Sequence, residues 1–382
     1  MYQPIWDQVE GILGSGVQFS LAATGGGSLA GSWLLNHPGA SRAVLEFQVP
    51  YGEGALAAYL GRPGPHGAEA ETARAMAARS FTRARVFAPE GRPVLGVGCT
   101  AALATARARR GEDRACIALR SEREYRFYQL QLEKGAAERL AQEEVLSQVI
   151  LQAIAAGCGL SPAPAVPLPA WASVAMHRCA VCPELEQLLA GEAEVIELEL
   201  RGGFSLNPVR RDRLLFPGSF NPLHQGHEGL AQAAAGRSGR MVALELSVEN
   251  VDKAPLAYEE VLRRLETLRG HYPVVVTRAP IFAQKARLFP GCWFAVGVDT
   301  AFRLIDPKYY RGGVSEMERE LAQMLALGCR FLVAGRLCEG RYQTLGEVAV
   351  PARWRPLFMD IPENAFRADV SSSALRAAER SS

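Results

Sequence analysis

The stretch Leu214-Leu-Phe-Pro-Gly-Ser-Phe-Asn-Pro-Leu-His-Gln-Gly-His227 narrows the fold of this chain more than any other. Its apolar start reads as a buried strand, the Gly/Ser/Asn/Pro cluster forces a turn, and His-x-Gly-His leads into an alanine-rich helix. Strand, tight loop and helix in that order make a phosphate-binding arrangement. Gly218 lets backbone N–H groups approach a ligand, and the helix N-terminus brings roughly half a positive charge to the same point. His224 in the loop and His227 at the helix start can both face that point and donate hydrogen bonds to a phosphate whose charge grows during transfer. Nucleotidyl transfer asks little covalent chemistry of a protein, so positioning and charge stabilisation supply most of the catalysis. Two histidines at this spacing also fit solvated turn residues or half of a zinc site, but neither reading accounts for Gly218, Asn221 and Pro222 beside them.

Beyond His227 the pattern alternates. Residues 241–247, 273–277, 293–298 and 330–334 read as strands, and 257–269 and 314–327 as helices. That alternation predicts a parallel sheet with helices on both faces and a ligand at the carboxyl ends of its strands. Three segments there carry chemistry. The loop from Ser247 holds Lys253, one of only four lysines (Lys134, Lys253, Lys285, Lys308), suited to a phosphate as a mobile point charge and equally to solvent. Gly297-Val-Asp299 follows a central strand, where the aspartate also fits a helix cap. Near the C-terminus, Ser371, Ser372 and Ser373 at a helix start offer hydroxyls and N–H groups to an anion, and Arg376 adds a bidentate charge; a plain N-cap accounts for the serines alone.

Together these residues carry a resemblance. Gly218-Ser-Phe-Asn-Pro-Leu-His-Gln-Gly-His227 resembles the GxFxPxHxGH signature of the nucleotidylyltransferase superfamily, in particular its nicotinamide/nicotinate mononucleotide adenylyltransferase branch. Val370-Ser-Ser-Ser-Ala-Leu-Arg376 is similar to that superfamily's Ile-Ser-Ser-Thr-x-Ile-Arg motif. The resemblance implies a Rossmann-like domain over residues 212–382 that transfers AMP from ATP to a mononucleotide and releases pyrophosphate, with no covalent enzyme intermediate. It implies that His224 and His227 act at the α- and β-phosphates. Gly218, Ser219 and Phe220 would form the phosphate loop, Gly297 and Asp299 would seat the nucleoside, and Lys253 would screen a phosphate. Ser371, Ser372, Ser373 and Arg376 would hold the leaving pyrophosphate. Magnesium is expected to arrive with the nucleotide, keeping waters and phosphate oxygens as ligands, and no fixed metal is expected.

The first half reads as a separate α/β domain. Residues 22–35 form a Gly-rich loop opening a helix. Residues 69–85 and 136–154 follow as helices, with strands at 94–99, 115–119 and 125–132. Thr24-Gly25-Gly26-Gly27, then His37-Pro-Gly-Ala-Ser41, Tyr51 and the helix around Met76, resemble over residues 5–160 the C-terminal domain of the CinA family, which includes nicotinamide-nucleotide amidases. The match is partial. On that alignment the family's nucleophilic serine falls on Thr24, its following threonine on Gly26 and its lysine on Leu56, while Tyr51 is matched. A threonine needs a base to act as nucleophile, and no lysine is near to provide it. The expectation is a domain kept for folding, homo-oligomer formation or nucleotide sensing, with an active amidase on Thr24 as the alternative, and its Gly25-Gly26-Gly27 loop could still seat a mononucleotide phosphate.

The join is Leu160-Ser-Pro-Ala-Pro-Ala-Val-Pro-Leu-Pro-Ala-Trp171, with proline at 162, 164, 167 and 169, and it reads as a semi-rigid extended linker. The expected organisation is therefore 1–160, a linker and connecting segment 161–211 with a helix at 183–190 and a strand at 195–200, and 212–382. His177, Cys179 and Cys182 offer three of the four ligands of a structural zinc site, with no second Cys-x-x-Cys to complete it. A net charge of +2 gives no electrostatic case for nucleic acid, so the expected partners are ATP and a small phosphorylated acceptor. No apolar run suits a membrane span and the eight cysteines form no secreted disulfide pattern, so the cytoplasm is expected. A nucleotide-binding regulator without turnover, or a transferase with another acceptor, is the alternative reading.

Overall fold

The computed structural model describes residues 3–106, 110–160, 167–251, 255–338 and 341–367. The chain is an α/β protein that divides into two units, Met1–Val181 and Cys182–Ser382.

In the first, α1 (Gln3–Gly14) leads into β1 (Gln18–Thr24), α2 (Ser28–Leu35) and β2 (Val44–Gln48). Helices α3 (Glu53–Leu60) and α4 (Ala70–Phe87) precede β3 (Val94–Ala102), β4 (Asp113–Arg120) and β5 (Glu124–Leu132). Then come α5 (Arg139–Gly157) and β6 (Ala172–Ala180). The strands form one sheet, β2-β1-β3-β4-β5-β6, parallel through β2, β1 and β3 and antiparallel beyond. Val97 and Ile117 face one side, where they share a core with Val9 and Ile12 of α1 and Leu146, Ile150 and Ile154 of α5. Their neighbours Gly96 and Gly98 face the other, as strand alternation requires. There α4 lies so close that a Cβ on Gly98 would fall 2.3 Å from the Ala73 carbonyl oxygen.

Strand β6 moves the division drawn at residue 160. It pairs with β5 along its whole length, from Ala172 opposite Leu132 to Ala180 opposite Glu124, and so belongs to the first sheet. Its residues alternate between half-buried and exposed with no apolar run, so only main-chain pairing, which side chains do not announce, identifies it as a strand.

The second unit starts correspondingly early, with α6 (Pro183–Ala190), β7 (Val195–Leu198) and β8 (Phe204–Leu206). There follow β9 (Leu214–Pro217), α7 (Gln225–Ser238), β10 (Val242–Ser247), α8 (Tyr258–Leu268), β11 (Val274–Thr277), α9 (Phe282–Leu288) and β12 (Trp293–Gly297). Next are α10 (Val298–Leu304), α11 (Gly313–Ala326), β13 (Arg330–Ala334), the hairpin β14 (Arg336–Cys338) with β15 (Arg341–Gln343), and β16 (Phe358–Ile361). The eight-stranded sheet runs β16-β13-β12-β9-β10-β11-β7-β8. Strands β16 to β11 are mutually parallel, and β7 and β8 add an antiparallel edge from the segment read as connecting chain.

The chain winds from β9 outward to β11, then returns to lay β12 on the other side of β9. Strand order reverses between β9 and β12, and ligands of such sheets bind outside the carboxyl ends at that switch point. The registered pairing of β9 with β12 covers only Leu214 with Trp293 and Leu215 with Phe294, stopping short of those ends. Below it, Phe289, Phe294, Phe331 and Trp354 form the core that fixes the strands. Among the described residues, no helix is long and apolar enough to cross a membrane.

Candidate active site

The loop after β9 is built around a plug. Gly218 N–H continues the ladder onto the Glu245 carbonyl of β10 at 3.0 Å, after which the chain turns. Phe220 takes a left-handed backbone (φ 44°), is fully buried, and sets its ring edge-on to Phe216 and His227 at centroid distances of 5.3 and 5.1 Å. A Cβ on Gly218 would lie 2.7 Å from that ring, so the glycine makes room for the plug as well as for any ligand. From outside, α8 pins the loop. Arg264 Nη1 donates to the Ser219 carbonyl at 3.2 Å and Arg263 Nη2 to Asn221 Oδ1 at 2.8 Å. Both guanidiniums also grip Glu260, which they hold down at about 2. These three α8 residues carry no motif and escape sequence reading.

The two histidines come together at the N-terminus of α7. His224 is its N-cap and His227 its third residue; their rings stack at 3.7 Å between centroids, and they cap one another reciprocally. The His224 backbone N–H donates to His227 Nδ1 at 3.3 Å, which makes that nitrogen an acceptor and leaves the proton of the neutral ring on Nε2. Burial, then the charge of His224, then that of Arg336 lower the His227 pKa to about 4. Burial followed by Arg336 also pushes His224 below its ordinary value. At neutral pH both imidazoles are therefore uncharged donors at the helix end.

Gly297 ends β12 as the N-cap of α10, so Val298, read as strand, opens that helix, with Asp299 in its first turn. Arg336, just past β13, reaches Asp299 Oδ1 with Nη1 at 3.4 Å. Sequence reasoning missed it as it missed the α8 residues: one arginine among 38 (42 Lys+Arg less four lysines) in a stretch without a motif gives no local signal. Lys253, Ser371, Ser372, Ser373 and Arg376 lie outside the described residues. The last described turn packs Phe366 against α7, where a Cβ on Gly229 would meet its ring at 2.9 Å. Among the described residues, no three His, Cys, Asp or Glu side chains assemble as metal ligands. His177 stacks on Phe127 of β5 at 4.8 Å, whereas Cys182 N-caps α6 at the start of the second unit, so the triplet read as partial zinc ligands divides between the two units.

In the first unit, Gly25, Gly26 and Tyr51 line a cavity of about 380 Å³ with Val49, Arg139 and Glu143. Thr24 is not in its wall: its hydroxyl donates to the Pro50 carbonyl at 2.9 Å. Gly25 (φ 74°) passes so close to β3 that a Cβ would fall 2.0 Å from the Ala101 carbonyl oxygen. Arg139 Nη2 donates to the Gly25 carbonyl at 3.0 Å and to the Tyr51 hydroxyl at 3.4 Å. Leu56, standing where the family lysine would be, is buried against Ala22 and Met76. The anion seat read into the glycine loop is taken. The buried Glu143 carboxylate accepts from the backbone N–H groups of Gly27 (2.8 Å) and Leu29 (3.1 Å) and from the Ser28 hydroxyl (3.0 Å) at the start of α2. A ligand phosphate there would have to displace an internal anion that uses the same donors.

The chain is 32% identical over 106 residues to a Schizosaccharomyces pombe protein described as "Putative nicotinamide mononucleotide adenylyltransferase". That match covers 24% of this chain and 42% of the relative, so the chain spans less than half the length of the curated protein it matches. Among solved structures, it is similar to the competence/damage inducible protein CihA of Agrobacterium tumefaciens (18% identity, TM-score 0.32, 41% of this chain and 95% of the other). A CinA superfamily protein of Enterobacter cloacae gives 12% identity and TM-score 0.32 over 40% of this chain and 92% of its own. No protein-family model matches.

Proposed function

We propose that the second unit is a nucleotidylyltransferase that transfers AMP from ATP to a mononucleotide, nicotinamide or nicotinic acid mononucleotide, with release of pyrophosphate. The observation that carries this reading is the stacked His224–His227 pair capping α7 at the switch point of a parallel sheet. The pyridine acceptor is supported by the name of the S. pombe relative and by the two resemblances meeting on one metabolite. The acceptor phosphate attacks the α-phosphate in line, and the imidazoles and the α7 N–H groups stabilise the charge that builds there. Ser371, Ser372, Ser373, Arg376 and Lys253 would hold the outer phosphates. Imidazoles, amide N–H groups and a guanidinium beside Asp299 suit an anion that brings its own magnesium on phosphate oxygens. The test is mass-spectrometric detection of dinucleotide and pyrophosphate after incubation with ATP, magnesium and both mononucleotides; no dinucleotide from a protein that binds ATP would remove the reading.

The low proton affinity of His227 gives a signed expectation. Phosphate charge beside an imidazole favours the imidazolium, so ATP raises a pKa that stands at about 4 in the free protein. Between that value and the ordinary ~6.5, binding then takes up protons. Calorimetry in buffers of different ionisation enthalpy should show greater uptake for the wild type than for His227→Ala; equal uptake would place the phosphates elsewhere.

For the first unit we propose no amidase activity, because Thr24 donates to Pro50 and the buried Leu56 stands where the family lysine would be. Incubation with nicotinamide mononucleotide should release no ammonia, and ammonia lost on Thr24→Ala would overturn this.

A further inference from the structure

Arg336 and Asp299 meet because of the register beneath them. Gly297 of β12 pairs with Ala334 of β13, and two residues beyond each the chains have left the ladder with these side chains together. The contact is loose, at 3.4 Å, between groups 45% and 36% exposed. An ion pair of that kind is worth about 0–1 kcal/mol, so the carboxylate parks the guanidinium without committing it. The same guanidinium sits close enough to both imidazoles to lower their proton affinity. Three adjacent strands, β9, β12 and β13, thus deliver the histidine pair, Asp299 and Arg336 to one end of the sheet. A triphosphate carries several negative charges and offers bidentate oxygen pairs, and it outcompetes one solvated carboxylate for a guanidinium.

Resting on the nucleotidylyltransferase reading, we infer that Arg336 is a phosphate-binding residue that Asp299 holds in the unliganded site and releases when a nucleoside triphosphate enters. The guanidinium passes from the Asp299 carboxylate to phosphate oxygens, and the carboxylate becomes an acceptor for a hydroxyl of the nucleoside. Polyphosphate and nucleoside binding are coupled through this one exchange, and no bond is made or broken in it.

The test is calorimetric binding of ATP, tripolyphosphate and adenosine to the full chain and its variants at constant salt. Arg336→Gln should weaken ATP and tripolyphosphate by about 10- to 100-fold, the loss of one charge-assisted bidentate contact, and tighten adenosine by about 2- to 5-fold, because Asp299 is already released. Arg336→Lys should restore part of the loss. Asp299→Asn should tighten tripolyphosphate by about 2- to 5-fold, because a competing acceptor is gone, and weaken adenosine. That gain is a readout a merely structural pair would not produce. Wild-type tripolyphosphate affinity in Arg336→Gln would overturn the phosphate role. Unchanged or weaker tripolyphosphate binding in Asp299→Asn would overturn the handover. A wild type that binds ATP while Arg336→Gln binds it equally well would leave the transferase reading standing without this inference, and a wild type that binds no ATP would remove both.

Discussion

Lys285→Met is expected to destabilise the second unit by about 3–5 kcal/mol, the cost of leaving a buried carboxylate without its counter-ion. Lys285 on α9 and Glu245 on β10 are 4% and 1% exposed. The ammonium donates to both Glu245 carboxylate oxygens at 2.7 Å and to the Ala279 carbonyl at 2.6 Å, and Thr277 Oγ1 adds a bond of 2.6 Å to the same carboxylate. Each polar atom is satisfied only while the set is complete. The double variant Glu245→Leu/Lys285→Met should recover most of the loss, since apolar replacement of a whole buried pair is often neutral. Denaturant unfolding of the two single variants and the double variant measures this. A cost below about 1 kcal/mol for Lys285→Met would mean that water reaches the carboxylate. The pair bears on the site as well, because the Glu245 carbonyl accepts the Gly218 N–H that starts the loop.

His227→Ala is expected to lower the rate of dinucleotide formation by about 10³-fold while ATP affinity changes by less than about tenfold, the pattern of a donor used most in the transition state. The substitution also removes half of a reciprocal cap, which costs about 1 kcal/mol of stability and is too small to unfold the unit. Pre-steady-state measurement of product formation separates the two effects. Equal losses in His224→Ala and His227→Ala, with no further loss in the double variant, would show the stacked pair acting as one unit. A loss below about tenfold in either would remove charge stabilisation by imidazole from the mechanism.

Much of the second unit was legible because its information is local. Apolar runs marked β9 to β13 to within a residue or so, and alternation with helices fixed their parallel arrangement. The glycine, proline and paired histidines of residues 218–227 lie on one short stretch of backbone, so spacing alone placed both rings at one helix end. Strands β6 and β8 were hidden because half-exposed edges are held by main-chain pairing rather than by a side-chain pattern, whereas the buried β7 was read as a strand at 195–200. The glycine loop of the first unit read as an anion seat because nothing within it shows that Glu143, 116 residues from Gly27, fills the seat.

By itself the sequence determined the strand–loop–helix at residue 214, the alternation around it and the meeting of two histidines, three residues apart, at one helix end, all of which act through neighbouring backbone. Only the tertiary structure decided which distant charges complete each site. Asp299 meets Arg336 across 37 residues through the register of β12 and β13. Lys285 meets Glu245 across 40, and the arginines of α8 reach the loop at Ser219 and Asn221. A single ion pair leaves no periodic mark on a chain, because its partners are chosen by where the sheet ends rather than by what stands beside them in sequence.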